Sequence, residues 1–280
     1  MILRKTLFLS IIVLSSTHLL PCERITEPKP MAPTITVSSP REILRNSRAL
    51  LNAVANNNAH AVQTILGSDA VDVNIMFHHR TPMTWSIFRR QAPITQMLLD
   101  DPRTEVNRLD GDGYTPLMEA VNHEDTAITR KLLAHPNIKI NKRNQLGIQA
   151  IMIAACKENS QTLSILLSNP ETHVNRQDTT TGKTPLIMAA MRGNTRNVAA
   201  LLAHPRIKPD TQDIRGYTAI MLAIKNDYAE TVKAFLNAPK RVNLSLRNNA
   251  GKSAFDFVIH GSAIEHILQE YLKQSSADSQ

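Results

Sequence analysis

Cysteine is almost missing. Only Cys22 and Cys156 occur in 280 residues, and they are too few and too far apart in the chain's layout for a small fold stapled by disulfides. Aromatic residues make up 4% with a single tryptophan, Trp85, so a core has to come from Leu, Ile, Ala and Met. Glycine and proline are not abundant enough for a low-complexity chain. No apolar run reaches the roughly 20 residues that a membrane-spanning helix needs. Acids are outnumbered, 24 Asp and Glu against 32 Lys and Arg, leaving a formal charge of +8. Such a balance favours acidic partners.

The N-terminal stretch stands apart from the rest. Arg4 and Lys5 are followed by L-F-L-S-I-I-V-L at 7–14 and a more polar region at 15–22. This is the layout of a secretory signal peptide, expected over 1–22. It predicts an exported protein, periplasmic or secreted, with no membrane insertion once the signal is removed. Leu19-Leu20-Pro21-Cys22 resembles a lipoprotein box, but Pro21 stands where a small residue belongs, which argues against a lipid anchor on Cys22. Residues 23–40, with Pro28, Pro30, Pro33 and Pro40, read as a proline-rich linker.

From about residue 41 the chain repeats itself. Residues 113–141 read G-Y-T-P-L-M-E-A-V-N-H-E-D-T-A-I-T-R-K-L-L-A-H-P-N-I-K-I-N. The run returns at Gly182 as G-K-T-P-L-I-M-A-A, at Gly216 as G-Y-T-A-I-M-L-A-I, at Gly147 as G-I-Q-A-I-M-I-A-A and at Gly251 as G-K-S-A-F-D-F-V-I. The place of Thr115 is taken by Thr81, Gln149, Thr184, Thr218 and Ser253, in steps of 34 or 35 residues. Thr115 is a good helix cap and Pro116 suits a first helical turn, where its missing N–H costs nothing. Leu117, Ala120 and Val121 share one helical face, N-H-E-D ends that helix, and Ile128, Leu132 and Leu133 mark a second. Pro136 stops the second helix. Pro93 reads as a helix start and Trp85 as the one large inward side chain of its unit.

A helix pair of this size cannot bury its apolar face alone, so the copies must stack. The T-P-L-x-x-A pattern with a second helix ending in L-L resembles the ankyrin repeat, over roughly 47–272. The loops A-H-P-N-I-K, D-D-P-R-T-E, S-N-P-E-T-H and A-H-P-R-I-K are one residue longer than the usual turn. The expected fold is an all-α repeat solenoid of six to seven helix-turn-helix units within 41–273. The first and last units are atypical caps, and a disordered tail follows at 274–280.

No catalytic constellation stands out. Gly182-Lys183-Thr184 resembles the end of a phosphate-binding loop, but the glycine required five residues upstream is Gln177. His135 and His204 occupy equivalent places two units apart, too distant to share a metal ion. His78-His79 and His123-Glu124-Asp125 fall in turns without a further convergent ligand. Cys156 has Lys157 beside it, which could lower a thiol pKa, but no base is placed to activate it. Neither an enzyme nor a cofactor is expected.

The resemblance implies a concave binding face made of the hairpin tips before each Thr and the ends of the first helices. The positions there are Arg80, Tyr114, Ile148, Lys183, Tyr217 and Lys252, then Phe88-Arg89, Asn122-His123, Cys156-Lys157, Met191-Arg192, Lys225-Asn226 and His260-Gly261. Seven are basic and none is acidic. The expected partner-binding residues are therefore Arg80, Phe88, Arg89, Tyr114, Lys157, Lys183, Arg192, Tyr217, Lys225 and Lys252, with Arg80, Lys183, Arg192 and Lys252 facing solvent. They suit an acidic protein partner. Nucleic acid is the alternative, disfavoured by the expected export and by the lack of a nucleic-acid motif. If the helix register is right, Leu132→Ala costs about 2–5 kcal/mol in a denaturant melt, and a loss well below about 1 kcal/mol would refute it.

Overall fold

The structure is a computed structural model that describes residues 38–277; the expected signal peptide and most of the linker lie outside them. Six helix pairs follow one another: α1 (Pro40–Ala55) and α2 (Ala59–Leu66), α3 (Pro82–Phe88) and α4 (Ala92–Asp100), α5 (Pro116–Asn122) and α6 (Thr126–Ala134), α7 (Ala150–Cys156) and α8 (Gln161–Leu167), α9 (Pro185–Met191) and α10 (Thr195–Leu202), α11 (Ala219–Lys225) and α12 (Ala229–Leu236). A seventh unit has a single 3-10 turn, Phe255–Phe257, before α13 (Ala263–Ala277). The odd-numbered helices of the six pairs pack in one row and the even-numbered helices in a second, with α13 closing the second row.

The helix starts follow from the repeated threonine. Thr81, Thr115, Thr184 and Thr218 each accept, through Oγ1, the backbone N–H three residues on, at 3.2, 3.1, 3.2 and 3.4 Å. Gln149 does not cap α7; its amide donates instead to the Asn141 carbonyl at 2.7 Å. Pro93 sits in the first turn of α4, as its position suggested. Most first helices end on a left-handed residue, among them Arg90, Glu124 and Asp227. The inner face of each unit then closes: Leu117, Ala120, Val121, Ile128 and Leu132 are all buried, Leu133 half so.

Trp85 packs against the core with its Nε1 enclosed, though the residue as a whole is half-buried, and the Arg89 guanidinium lies 5.9 Å from its ring. Two expectations need correction. The F-D-F-V-I run does not form an α-helix. There the Asp256 carboxylate draws in the Ser253 N–H and hydroxyl at 2.6 and 2.7 Å, and the turn stops at Phe257. Finally, α13 continues to Ala277, past the expected limit of 273, because no glycine or proline interrupts it.

The loops after the second helices are held by side-chain amides. Asn74 donates to the Arg103 carbonyl and accepts from the Glu105 N–H, both at 2.8 Å. Asn107 does the same to Asn137 and Lys139, Asn141 to Glu171 and His173, and Asn175 to Arg206 and Lys208. Each amide thus uses both its donor and its acceptor on the backbone of the next unit. Removing both bonds in Asn141→Ala should cost about 1–3 kcal/mol. Equilibrium denaturation measures it, and an unchanged midpoint would show that the ladder is ornamental.

Candidate protein-binding surface

The hairpins that lead into the first helices carry half of the expected binding residues; Arg80 is held by backbone bonds with Phe77, and in the later hairpins one Asp or Asn side chain does the positioning. Asp110, Asn144, Asp213 and Asn248 open the hairpins. Through Oδ1 each accepts two backbone N–H groups, the second belonging to Tyr114, Ile148, Tyr217 and Lys252, at 2.8, 2.9, 2.9 and 3.0 Å. The turn between needs a left-handed residue, supplied by glycine. At Gly216, with φ +79°, a Cβ would also lie 2.8 Å from the Asn248 Cα, so no side chain fits there. Neighbouring tips are joined through the backbone, as in Thr179 N–H to Leu146 O at 3.0 Å and Asn249 N–H to Arg215 O at 3.0 Å.

The hairpin before Thr184 is one residue longer, and its extra length is filled by threonines. Asp178 accepts the Thr180 and Thr181 hydroxyls at 2.9 and 2.6 Å, their N–H groups at 2.8 and 2.6 Å, and the Lys183 N–H at 3.0 Å. Burial alone would raise its pKa, but these donors outweigh it and bring the carboxyl down to about 2.

Along this face the expected residues divide into two groups. Around the second and third units the charges cancel. Arg80 has a side chain only 16% exposed and pairs with Glu119 at 2.5 Å, with Asp112 at 3.5 Å and with Asp110 at 4.0 Å. Its guanidinium also stacks 4.1 Å over the Phe88 ring, and Phe88 meets His123 edge-on at 5.4 Å. Arg80 is therefore not the solvent-facing cation expected. Glu119 is 2% exposed at its side chain and holds His123 at 3.3 Å as well. Burial raises the pKa of Asp110, and it raises that of the half-buried Tyr114, which Glu119, Asp110 and Asp112 push further. Arg89 is exposed beside Trp85, and Phe88 is exposed too.

From the fourth unit onward the cations stand alone. Among the described residues Lys157, Lys183, Arg192, Lys225 and Lys252 have no carboxylate within ion-pair distance. Arg192, Lys225 and Lys252 are exposed, Lys157 and Lys183 half-buried. The Tyr217 ring has the Lys225 ammonium at 5.0 Å and the Arg215 guanidinium at 5.5 Å. Phe257, at 5.6 Å from Tyr217, has Lys252 at 5.9 Å and Lys225 at 6.0 Å.

Sequence reasoning missed Glu119 and the opening Asx residues. Glu119 lies four residues after Thr115, where the other units carry Trp85, Ile153, Met188 and Leu222. A lone acid in an apolar column is the signal that could have revealed a buried pair. Asp110, Asn144, Asp178, Asp213 and Asn248 recur as regularly as the threonines.

The arrangement is that of a stacked helix-pair protein with a polar hairpin edge. The family model described as Ankyrin repeats (3 copies) matches residues 50–144, 94–178 and 151–248, and the chain belongs to that family. Ankyrin repeats generally mediate protein–protein interaction. A comparison with curated proteins finds no match. Similar solved structures include the ankyrin repeat domain of Bcl-3, described as a unique member of the IkappaB family, at 21% identity, 78% of this chain, 96% of that chain and TM-score 0.70. The human ASB11 ankyrin repeat domain matches at 22% identity, with 79% and 96% coverage and TM-score 0.64. The ankyrin repeat protein EF0377 matches at 24% identity, with 69% and 98% coverage and TM-score 0.63. These likenesses are likenesses of fold. No helix among the described residues is long and apolar enough to cross a membrane.

The Asp178 carboxyl carries a pH prediction. Its folded pKa lies below the ordinary 3.8, so its stabilisation is complete above that value and is lost as pH falls through about 2. The loss amounts to about 2 kcal/mol. Urea midpoints measured from pH 5 to about 2 should fall for the native chain, and part of that fall should be absent in Asp178→Asn. Parallel curves for the two would refute the assignment.

Proposed function

We propose that this chain is a non-enzymatic scaffold that binds an acidic segment of another protein on the face formed by its hairpins and first-helix ends. The observation that carries the reading is the second half of that face. Five cations there have no counter-charge among the described residues, while Tyr217 and Phe257 stand among them. Unpaired cations favour an anionic partner and steer its approach, and aromatic rings supply rigid contact area beside them. Stacked repeats hold such residues in place before binding, so little ordering entropy is lost. The scaffold is read as acting outside the cytoplasm, periplasmic or secreted; the charged start and short apolar core of residues 1–22 support this.

Charge reversal tests the reading. The triple change Lys183→Glu, Arg192→Glu and Lys252→Glu should remove capture of an acidic protein while leaving the thermal melt in place, since none of the three makes an internal ion pair. Arg80 is left out because its removal would strand buried Glu119 and destabilise the fold. The readout is affinity capture with native and triple-variant chains side by side at moderate salt. Equal capture by both would overturn the acidic-partner reading. Recovery of nucleic acid alone, lost steeply as salt rises, would replace it with the polyanion alternative.

A further inference from the structure

At the junction of the fourth and fifth units the first helix ends differently from its neighbours. Where the others turn through a left-handed residue, α7 stops at Lys157 in an extended conformation, with φ −84° and ψ 152°. The carbonyls left open are received from the next unit. Asn194 donates to Ala155 and Lys157 at 3.2 and 3.0 Å, and Asn197 donates to Ala154, Ala155 and Lys157 at 3.2, 3.2 and 2.6 Å. This draws Lys157 to the end of α9, where Arg192 is the cap residue. Lys183 enters from the hairpin that leads into α9, its backbone fixed by Asp178.

Cys156, the last residue of α7, lies at this same junction. Burial raises the pKa of this thiol, and Arg192, Lys157 and Lys183 all lie near enough to oppose the rise. None of the three has a carboxylate partner among the described residues, in contrast to Arg80 with its three acids. Like charges gathered without a counter-ion repel one another, and no carboxylate among the described residues relieves them.

We propose that Lys157, Lys183 and Arg192 form a recognition site for a phosphoserine or phosphothreonine in the protein segment bound by this face. The proposal rests on the protein-binding reading above and narrows it. A carboxylate offsets one of three charges, whereas a phosphomonoester carries about −1.5 to −2 and three acceptor oxygens. The Arg192 fork matches two of those oxygens and the ammonium groups serve as point charges. Lys157 and Lys183 are half-buried, so packing of their stems limits the entropy lost on binding.

The probes are three fluorescein-labelled peptides, Ala-Ala-X-Ala-Ala, with phosphoserine, glutamate or serine at X, titrated against the full chain by anisotropy. In parallel, alkylation of Cys156 by neutral iodoacetamide is followed by mass spectrometry of the peptide that contains it. The phosphopeptide should bind about ten-fold or more tighter than the glutamate peptide. It should also slow alkylation of Cys156, because an anion that neutralises the three cations removes their support for the thiolate. Arg192→Gln, at an exposed position, should abolish the preference without lowering the melting temperature.

Equal binding of phosphoserine and glutamate peptides would overturn the phosphate assignment and leave the acidic-partner reading intact. Phosphopeptide binding that neither slows alkylation nor responds to Arg192→Gln would place the phosphate elsewhere and overturn it too. No binding by any peptide would also overturn it, and the charge-reversal capture would then decide the broader reading by itself. Finally, an oligothymidylate that binds as tightly as the phosphopeptide would reassign the site to a nucleic-acid backbone.

Discussion

Everything in this structure depends on neighbours being held in register, and the bidentate amide of the outer loops does the holding. An asparagine side chain offers a donor and an acceptor at fixed separation. At Asn74, Asn107, Asn141 and Asn175 both are spent on the backbone of the following unit. Apolar packing between helix rows supplies most of the stabilisation, but it is non-directional. The amides fix how far one unit slides along the next. Further along the same loops the Asx residues shape each hairpin internally, and backbone bonds join neighbouring tips, Thr179 to Leu146 and Asn249 to Arg215. The surface side chains are therefore carried on a backbone tied to its neighbours, and this is what gives a row of otherwise ordinary lysines and tyrosines a definite arrangement.

The fold was legible because its signals repeat. Thr115-Pro116 alone is a modest cap-and-start signal; recurring at 34 or 35 residues it leaves little room for another architecture. The periodic asparagines were equally visible but carried no local meaning, since their partners lie about thirty residues away in the next loop. The last unit departed from its pattern even though Ser253 and Asp256 make a contact typical of a helix start: only the 3-10 turn Phe255–Phe257 forms, and Val258 after it is extended. The α13 helix runs on to Ala277 through polar residues, since no glycine or proline breaks it there.

The candidate surface was legible only in part. Reading single columns of the repeat located the hairpin and helix-end positions, but charge depends on what faces each column from the next unit. Arg80 counted as a free cation until Glu119, a mid-helix acid in the adjacent unit, was seen to lie against it. Lys157, Lys183 and Arg192 have the same appearance in the sequence, yet no acid among the described residues meets them. The difference between a structural arginine and an available one lies in contacts across units, which a tally of residue types cannot distinguish.

The amide ladder is not uniform, and one rung is irregular. At the junction of the fifth and sixth units Asp210 stands in the asparagine column; its carboxylate accepts the Asn243 N–H at 2.9 Å but has no N–H to give. Lys240 reaches across the same junction to the Pro205 and Ile207 carbonyls at 2.6 and 3.0 Å, in the place that Arg206 fills one junction earlier with its bonds to the Pro170 and Thr172 carbonyls. The helices nonetheless meet closely there, α11 against α9 and α12 against α10, and Gln212 and Asn249 add side-chain bonds to the Arg247 and Ile214 carbonyls, so the altered rung still leaves a firm junction. Lys183 and Arg192 lie on one side of it, Tyr217, Lys225 and Lys252 on the other. A partner that touches both groups therefore spans a platform already held together, and little of its binding energy goes into ordering the last two units.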